Sequence, residues 1–114
     1  MSDCLFCNIV SGEVPSKSAG ENELAFAFFD IAPVAPIHIL IVPKKHIENI
    51  NVFEIKEADS LSQMVKLSQE LASEHNLTER GYRLVFNVGD DAGNTVSHLH
   101  MHLLGGRRLG WPPG

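Results

Sequence analysis

Tryptophan and tyrosine occur once each in this chain, and cysteine only twice, at Cys4 and Cys7. Two cysteines cannot build a disulfide scaffold. No apolar run approaches the ~18 residues of a membrane span. Basic residues are outnumbered, 9 against 14 acidic, for a net charge of −5. That balance argues against nucleic-acid binding, which needs a basic face. The start, Met1-Ser2-Asp3-Cys4, shows no basic segment followed by an apolar one, so no signal peptide is expected. The expected compartment is therefore the cytoplasm, with the nucleus as a second possibility. Thiols stay reduced there, and Cys4-Leu-Phe-Cys7 reads as a metal or redox pair rather than a structural disulfide.

What the chain does have is histidine. Three of its six histidines fall in His98-Leu99-His100-Met101-His102-Leu103-Leu104. Strict alternation predicts a half-buried strand over 98–104, with the histidines on one face and Leu99, Met101 and Leu103 on the other. Successive histidines would stand roughly 6.5–7 Å apart. Such a row suits two chemistries: metal binding, or nucleophilic and acid–base work at a phosphorus or carbonyl centre.

The remaining pattern predicts α+β with a mainly antiparallel sheet in one domain, residues 1–114. Residues 3–10 read as a short helix with Asp3 as N-cap. Residues 24–29 and 38–42 read as strands that pair antiparallel, joined by a loop with Pro33 and Pro36. Ile55, Ala58, Leu61, Met64, Leu67 and Leu71 give a long amphipathic helix over 54–75. Residues 82–88 form a further strand, and a glycine loop over 89–95 leads into the histidines. The tail, 107–114, is too rich in Pro and Gly to form a core.

The histidine stretch resembles the signature of the histidine triad family of nucleotide hydrolases and transferases, His-φ-His-φ-His-φ-φ with φ apolar. Phe28-Phe29-Asp30-Ile31, Pro33, Pro36-Ile37-His38, Ile41-Val42-Pro43-Lys44-Lys45-His46, Gly81-Tyr82-Arg83, Asn87 and Trp111-Pro112-Pro113-Gly114 are similar to the Hint branch of that family. The resemblance covers nearly the whole chain. It implies a five-stranded sheet with one long and one short helix, joined across a homodimer.

It also implies residue roles. His100 would be the nucleophile, with His102, His38 and Thr95 completing the catalytic set. A purine nucleotide (AMP, GMP, a phosphoramidate or an acyl adenylate) would meet Phe6, Ile9, Phe28, Ile31 and Val96 at its base. Asp30 would accept from the ribose hydroxyls, and Gly93, Thr95 and Asn87 would face the phosphate. Backbone amides in a glycine loop do converge on anions. The branch often has His where this chain has Phe29. Related proteins bind structural zinc with a Cys-x-x-Cys pair, which here implies Cys4, Cys7, His46 and His98 as ligands. Trp111 would reach the partner's site. The activity implied is that of an adenosine 5′-phosphoramidase. Two other readings stay open: a catalytic zinc shared by His98, His100 and His102, and a nucleotide-binding scaffold with incidental activity.

Overall fold

A computed structural model describes residues 2–114. These form a five-stranded, wholly antiparallel sheet with two α-helices. In chain order the elements are α1 (Leu5–Ser11), β1 (Ser18–Glu21), β2 (Ala25–Phe29), β3 (Ile37–Pro43), α2 (Ala58–Glu74), β4 (Tyr82–Val85) and β5 (Met101–Gly105). Strand order is β1-β2-β3-β5-β4. No helix among the described residues is long and apolar enough to cross a membrane.

The period of two along each strand decides which face a residue joins. Ala25, Ala27, Ile39, Ile41, Met101 and Leu103 face one way and bury against Met64, Leu67 and Leu71 of α2. Phe28, Leu40 and Val42 face the other way and pack with Phe6 and Ile9 of α1. In the β3–β5 ladder Leu40 pairs with His102 and His38 with Leu104. His38 and His102 therefore stand on the α1 face. The expectation that the alternation separates histidines from core residues holds.

The histidine strand is shorter than its pattern predicts. β5 starts at Met101, not at residue 98. The cause lies in β3, whose last residue is Pro43. Proline has no N–H to give the ladder, and its carbonyl is taken by the His98 side chain, Nε2 to O at 2.9 Å. Leu99 N–H bonds the Ile47 carbonyl instead, at 2.6 Å.

Other ends moved as well. Cys4, not Asp3, caps α1, its Sγ accepting from Cys7 N–H at 3.4 Å. The long helix is α-helical from Ala58, after a single 3-10 turn at Ile55–Glu57. That turn carries a capping box between Glu54 and Glu57. Lys45 pairs with Glu57 at 3.0 Å and holds its carboxyl below the usual range. β4 ends at Val85, three residues early.

Candidate functional site

Two side-chain clusters meet on the α1 face, and the proton inventory of each differs. The first is Cys4, Cys7, His46 and His98. Four of its contacts are Cys4 Sγ–His98 Nδ1 3.3 Å, Cys7 Sγ–His98 Nδ1 3.5 Å, Cys7 Sγ–His46 Nδ1 3.4 Å and His46 Nδ1–His98 Nδ1 3.2 Å. A carbonyl can only accept, so His98 Nε2 must donate to Pro43 O. The His98 Nδ1 lone pair is then free and aimed at the cluster. Zinc bonds of 2.3 Å to sulfur and about 2.0–2.1 Å to nitrogen give tetrahedral edges of about 3.3–3.8 Å. The four spacings sit at that scale, so the set can hold a tetrahedral cation. The Pro43 carbonyl is the partner that fixes a ligating imidazole's tautomer. Burial pushes the Cys7 thiol up, and burial pushes His98 down.

The second cluster is Asp30, His38 and His102. Asp30 Oδ2 lies 3.4 Å from His38 Nε2, and His38 Nε2 lies 2.9 Å from His102 Nδ1. Here a backbone amide decides the tautomer. Val34 N–H points at His38 Nδ1 at 3.2 Å, and an amide can only donate. His38 therefore carries its proton on Nε2 and gives it to His102 Nδ1. His102 in turn carries its proton on Nε2. Asn87 Nδ2, itself a donor, stands 3.5 Å from that nitrogen, so the Asn87 amide must turn its oxygen there to accept that proton. This cluster is arranged to pass hydrogen bonds, not to ligate a metal. Burial, then the neighbouring His100 and His38, bring the His102 pKa down to about 4. Burial likewise lowers His38, against the pull of Asp30. Both rings are neutral at pH 7.

His100 lies between the clusters. Its Nδ1–H donates to the His98 carbonyl at 2.7 Å, which leaves the Nε2 lone pair uncommitted. Its ring meets Phe6 edge-on at 5.1 Å and His102 at 5.2 Å between centroids. The three triad rings thus have three different partners. His98 serves the cysteines, His100 is braced by backbone, and His102 is bonded to His38.

The structure gathers most residues expected at a base. Phe6, Ile9 and Phe28 pack together with Val96 against them, and the Phe6 and Phe28 rings meet edge-on at 5.4 Å. Ile31 is not among them; its side chain is fully exposed. Asp30 is fixed at the mouth of β3 by its N–H on His38 O, and its Oδ1 accepts from Ala32 N–H. Gly93, at φ +79, ends the turn before the histidines, with Thr95 exposed beside it. Phe29 lies on the α2 side, against His75, with Lys17 over its ring. Trp111 is exposed in this chain, and Arg83 holds the tail near it through the Gly110 carbonyl at 2.7 Å. Three participants have no sequence signal: the Val34 amide and the Pro43 and His98 carbonyls are backbone groups that any residue carries.

Similarity to known proteins agrees with this geometry. A HIT domain model matches residues 11–109. An uncharacterised HIT-like protein of Synechococcus elongatus is 44% identical over 112 residues, covering 98% of this chain and 97% of its own. A protein named purine nucleoside phosphoramidase from Escherichia coli K12 is 39% identical over 108 residues, covering 95% and 91%. Among solved structures, a HIT family hydrolase of Legionella pneumophila superposes with a TM-score of 0.95 at 47% identity, covering 98% of this chain and all of that one. A histidine triad nucleotide-binding protein of Candida albicans gives 0.83 at 33% identity, covering 96% and 83%. The chain belongs to the HIT domain family.

Proposed function

We propose that this protein is a hydrolase of purine nucleoside 5′-phosphoramidates and acyl adenylates, acting at the α-phosphorus through a nucleotidyl-histidine at His100. The observation that carries the reading is the 2.7 Å bond from His100 Nδ1–H to the His98 carbonyl. It holds the ring and points its basic nitrogen, Nε2, away from the backbone. The names of the Legionella and Escherichia coli relatives support the same class.

In this reading Nε2 of His100 attacks phosphorus. In a phosphoramidate the P–N bond breaks, its electron pair leaves with the amine, and the amine takes up a proton from solvent. In an acyl adenylate the P–O bond to the acyl group breaks and its electron pair leaves with the carboxylate. Water then attacks the phosphorus of the adduct, returning free His100 and a nucleoside monophosphate. Splitting one displacement into two lowers each barrier. His102, neutral with Nε2–H outward, donates to a phosphoryl oxygen with Thr95 and the Gly93 loop. Asp30 accepts from the ribose hydroxyls, and the Phe6, Ile9, Phe28 and Val96 wall takes the base.

Cys4, Cys7, His46 and His98 would hold one zinc, whose contribution is to folding: it ties the start of α1 to the segments after β3 and before β5. A homodimer completes the assembly. The β4 edge and α2 leave Tyr82, Leu84 and Val65 partly exposed, surface that a two-fold copy would cover. Trp111 would then approach the partner's site. A reducing compartment such as the cytoplasm suits the thiol pair.

Turnover of an adenosine 5′-phosphoramidate by wild type and by His100→Ala, with and without a chelator, tests the reading. Per folded protein, followed by circular dichroism in the same samples, wild type should turn over under both conditions and His100→Ala under neither. Equal loss on chelation and on substitution at His98, His100 or His102 would point to a catalytic metal instead.

A further inference from the structure

The tautomer of His38 depends on where the Val34 amide points, and Val34 sits in a loop with little to hold it. Its side chain is 60% exposed. Pro33 precedes it and Pro36 follows two residues on, and neither can donate a backbone hydrogen bond. The fixing contact comes from the chain just beyond β5. Arg107 donates from both Nε and Nη2 to the Val34 carbonyl, at 3.3 and 3.0 Å. The same guanidinium donates from Nη1 to the Arg108 carbonyl at 3.1 Å, which anchors it to its own turn.

The turn itself is built to stand close to the loop. Gly106 adopts φ +91, in the left-handed region open to glycine. A Cβ there would come within 2.8 Å of Pro36 Cβ. The Gly106–Arg107 turn therefore rests against Pro36 and grips Val34 at once. The carbonyl of Val34 lies on one side of its Cα and the amide on the other. Holding the carbonyl leaves the amide aimed at His38 Nδ1, 3.2 Å away.

We propose that Arg107 is a positioning residue, which holds the Val34 carbonyl, so aims the Val34 amide at His38, and thereby sets which nitrogen of His102 carries the proton. The path runs Arg107 to Val34, Val34 N–H to His38 Nδ1, His38 Nε2–H to His102 Nδ1. Without the grip, the Asp30 carboxylate 3.4 Å from Nε2 is the remaining constraint on His38, and a fraction of the rings can turn an Nδ1 proton toward the loop carbonyls and offer His102 a lone pair. His102 must then protonate Nδ1 and present a bare Nε2 to the phosphoryl group, where a donor is needed. The consequence for turnover rests on the role given to His102 under Proposed function; the tautomer consequence does not.

The test reads the two separately. Nitrogen-15 spectra of labelled histidine distinguish the Nδ1–H from the Nε2–H form of each ring. Wild type should show His38 and His102 as single Nε2–H tautomers. Arg107→Ala should show mixed tautomers at both, and Arg107→Lys, which still donates to the carbonyl, should restore most of the wild-type pattern. Val34→Pro removes the N–H itself and should mix the tautomers even with Arg107 in place. Turnover by Arg107→Ala should fall in kcat by on the order of tenfold, below the ~100-fold cost of a 1 Å misplacement, with KM little changed. Unaltered tautomers in folded Arg107→Ala overturn the proposal. Mixed tautomers with unaltered turnover uphold the path and instead overturn the donor role of His102.

Discussion

His38 Nε2 stands 2.9 Å from His102 Nδ1, across the β3–β5 ladder one step diagonal to the Leu40–His102 pair. Two neutral imidazoles at this distance need one donor and one acceptor. The Val34 amide makes His38 the donor. His38→Ala should leave His102 Nδ1 without a partner and its tautomer unfixed. Turnover should fall by roughly 10²–10⁴, the range of an acid–base group. His38→Asn keeps a side-chain donor and should lose less. Equal losses in the two variants would show that ring packing, not the hydrogen bond, is what His38 supplies.

Stability should rise with pH across the acid range. The His102 pKa is brought from 6.5 to about 4, so between those values the unfolded chain holds a proton that the folded chain does not. The stabilisation is complete above pH 6.5 and is lost as pH falls toward 4. His38 and His98 are lowered too and act in the same direction. Thermal melts from pH 7 to pH 4 should show Tm falling, and less steeply in His102→Asn. A flat wild-type profile would mean these rings charge as readily in the fold as out of it.

Replacing Asp30 by Ala should separate sugar binding from loop structure. Two charge-assisted bonds to a ribose would disappear, each worth roughly 1.5–3 kcal/mol. Affinity for AMP should drop far more than affinity for its 2′,3′-dideoxy analogue. The same acid also bonds Ala32 N–H and neighbours His38. If both ligands lose equally, its work is to hold the loop.

Cys4→Ser with Cys7→Ser should lower Tm well below that of wild type while the remaining folded fraction still turns over substrate. Structural zinc binding is coupled to folding, and Cys4 also caps α1. Untagged protein should contain about one zinc per chain by elemental analysis. Metal-free protein with an unchanged melt would refute the ligand assignment.

The sheet and its two helices were legible because β2 and β3 are short apolar runs rich in aromatic or β-branched residues, because α2 repeats its apolar residues at helical spacing, and because alternation through the histidine strand is strict. The start of β5 was not, because it is set by Pro43 and by a His98 side chain that competes for its carbonyl. The cluster of Cys4, Cys7, His46 and His98 was named from residue type and resemblance. No pattern in the sequence shows that His98 offers Nδ1 rather than Nε2. Ile31 reads from the sequence as a pocket wall; in the fold it lies past the end of β2 with its side chain in solvent, apart from the packed Phe6, Ile9 and Phe28. Arg107 looks like a solvated charge after a glycine turn; its grip on Val34 joins residues 73 apart in sequence.

The most direct measurement is the intact mass of the protein quenched within its first turnovers of an adenosine 5′-phosphoramidate, followed by peptide mapping. The account predicts a fraction heavier by one adenylyl group, mapped to His100, and no such species in His100→Ala. Steady consumption of the substrate with the protein unmodified at every quench time would contradict the covalent route. An adduct mapped to His98 or His102 would contradict the assignment of His100.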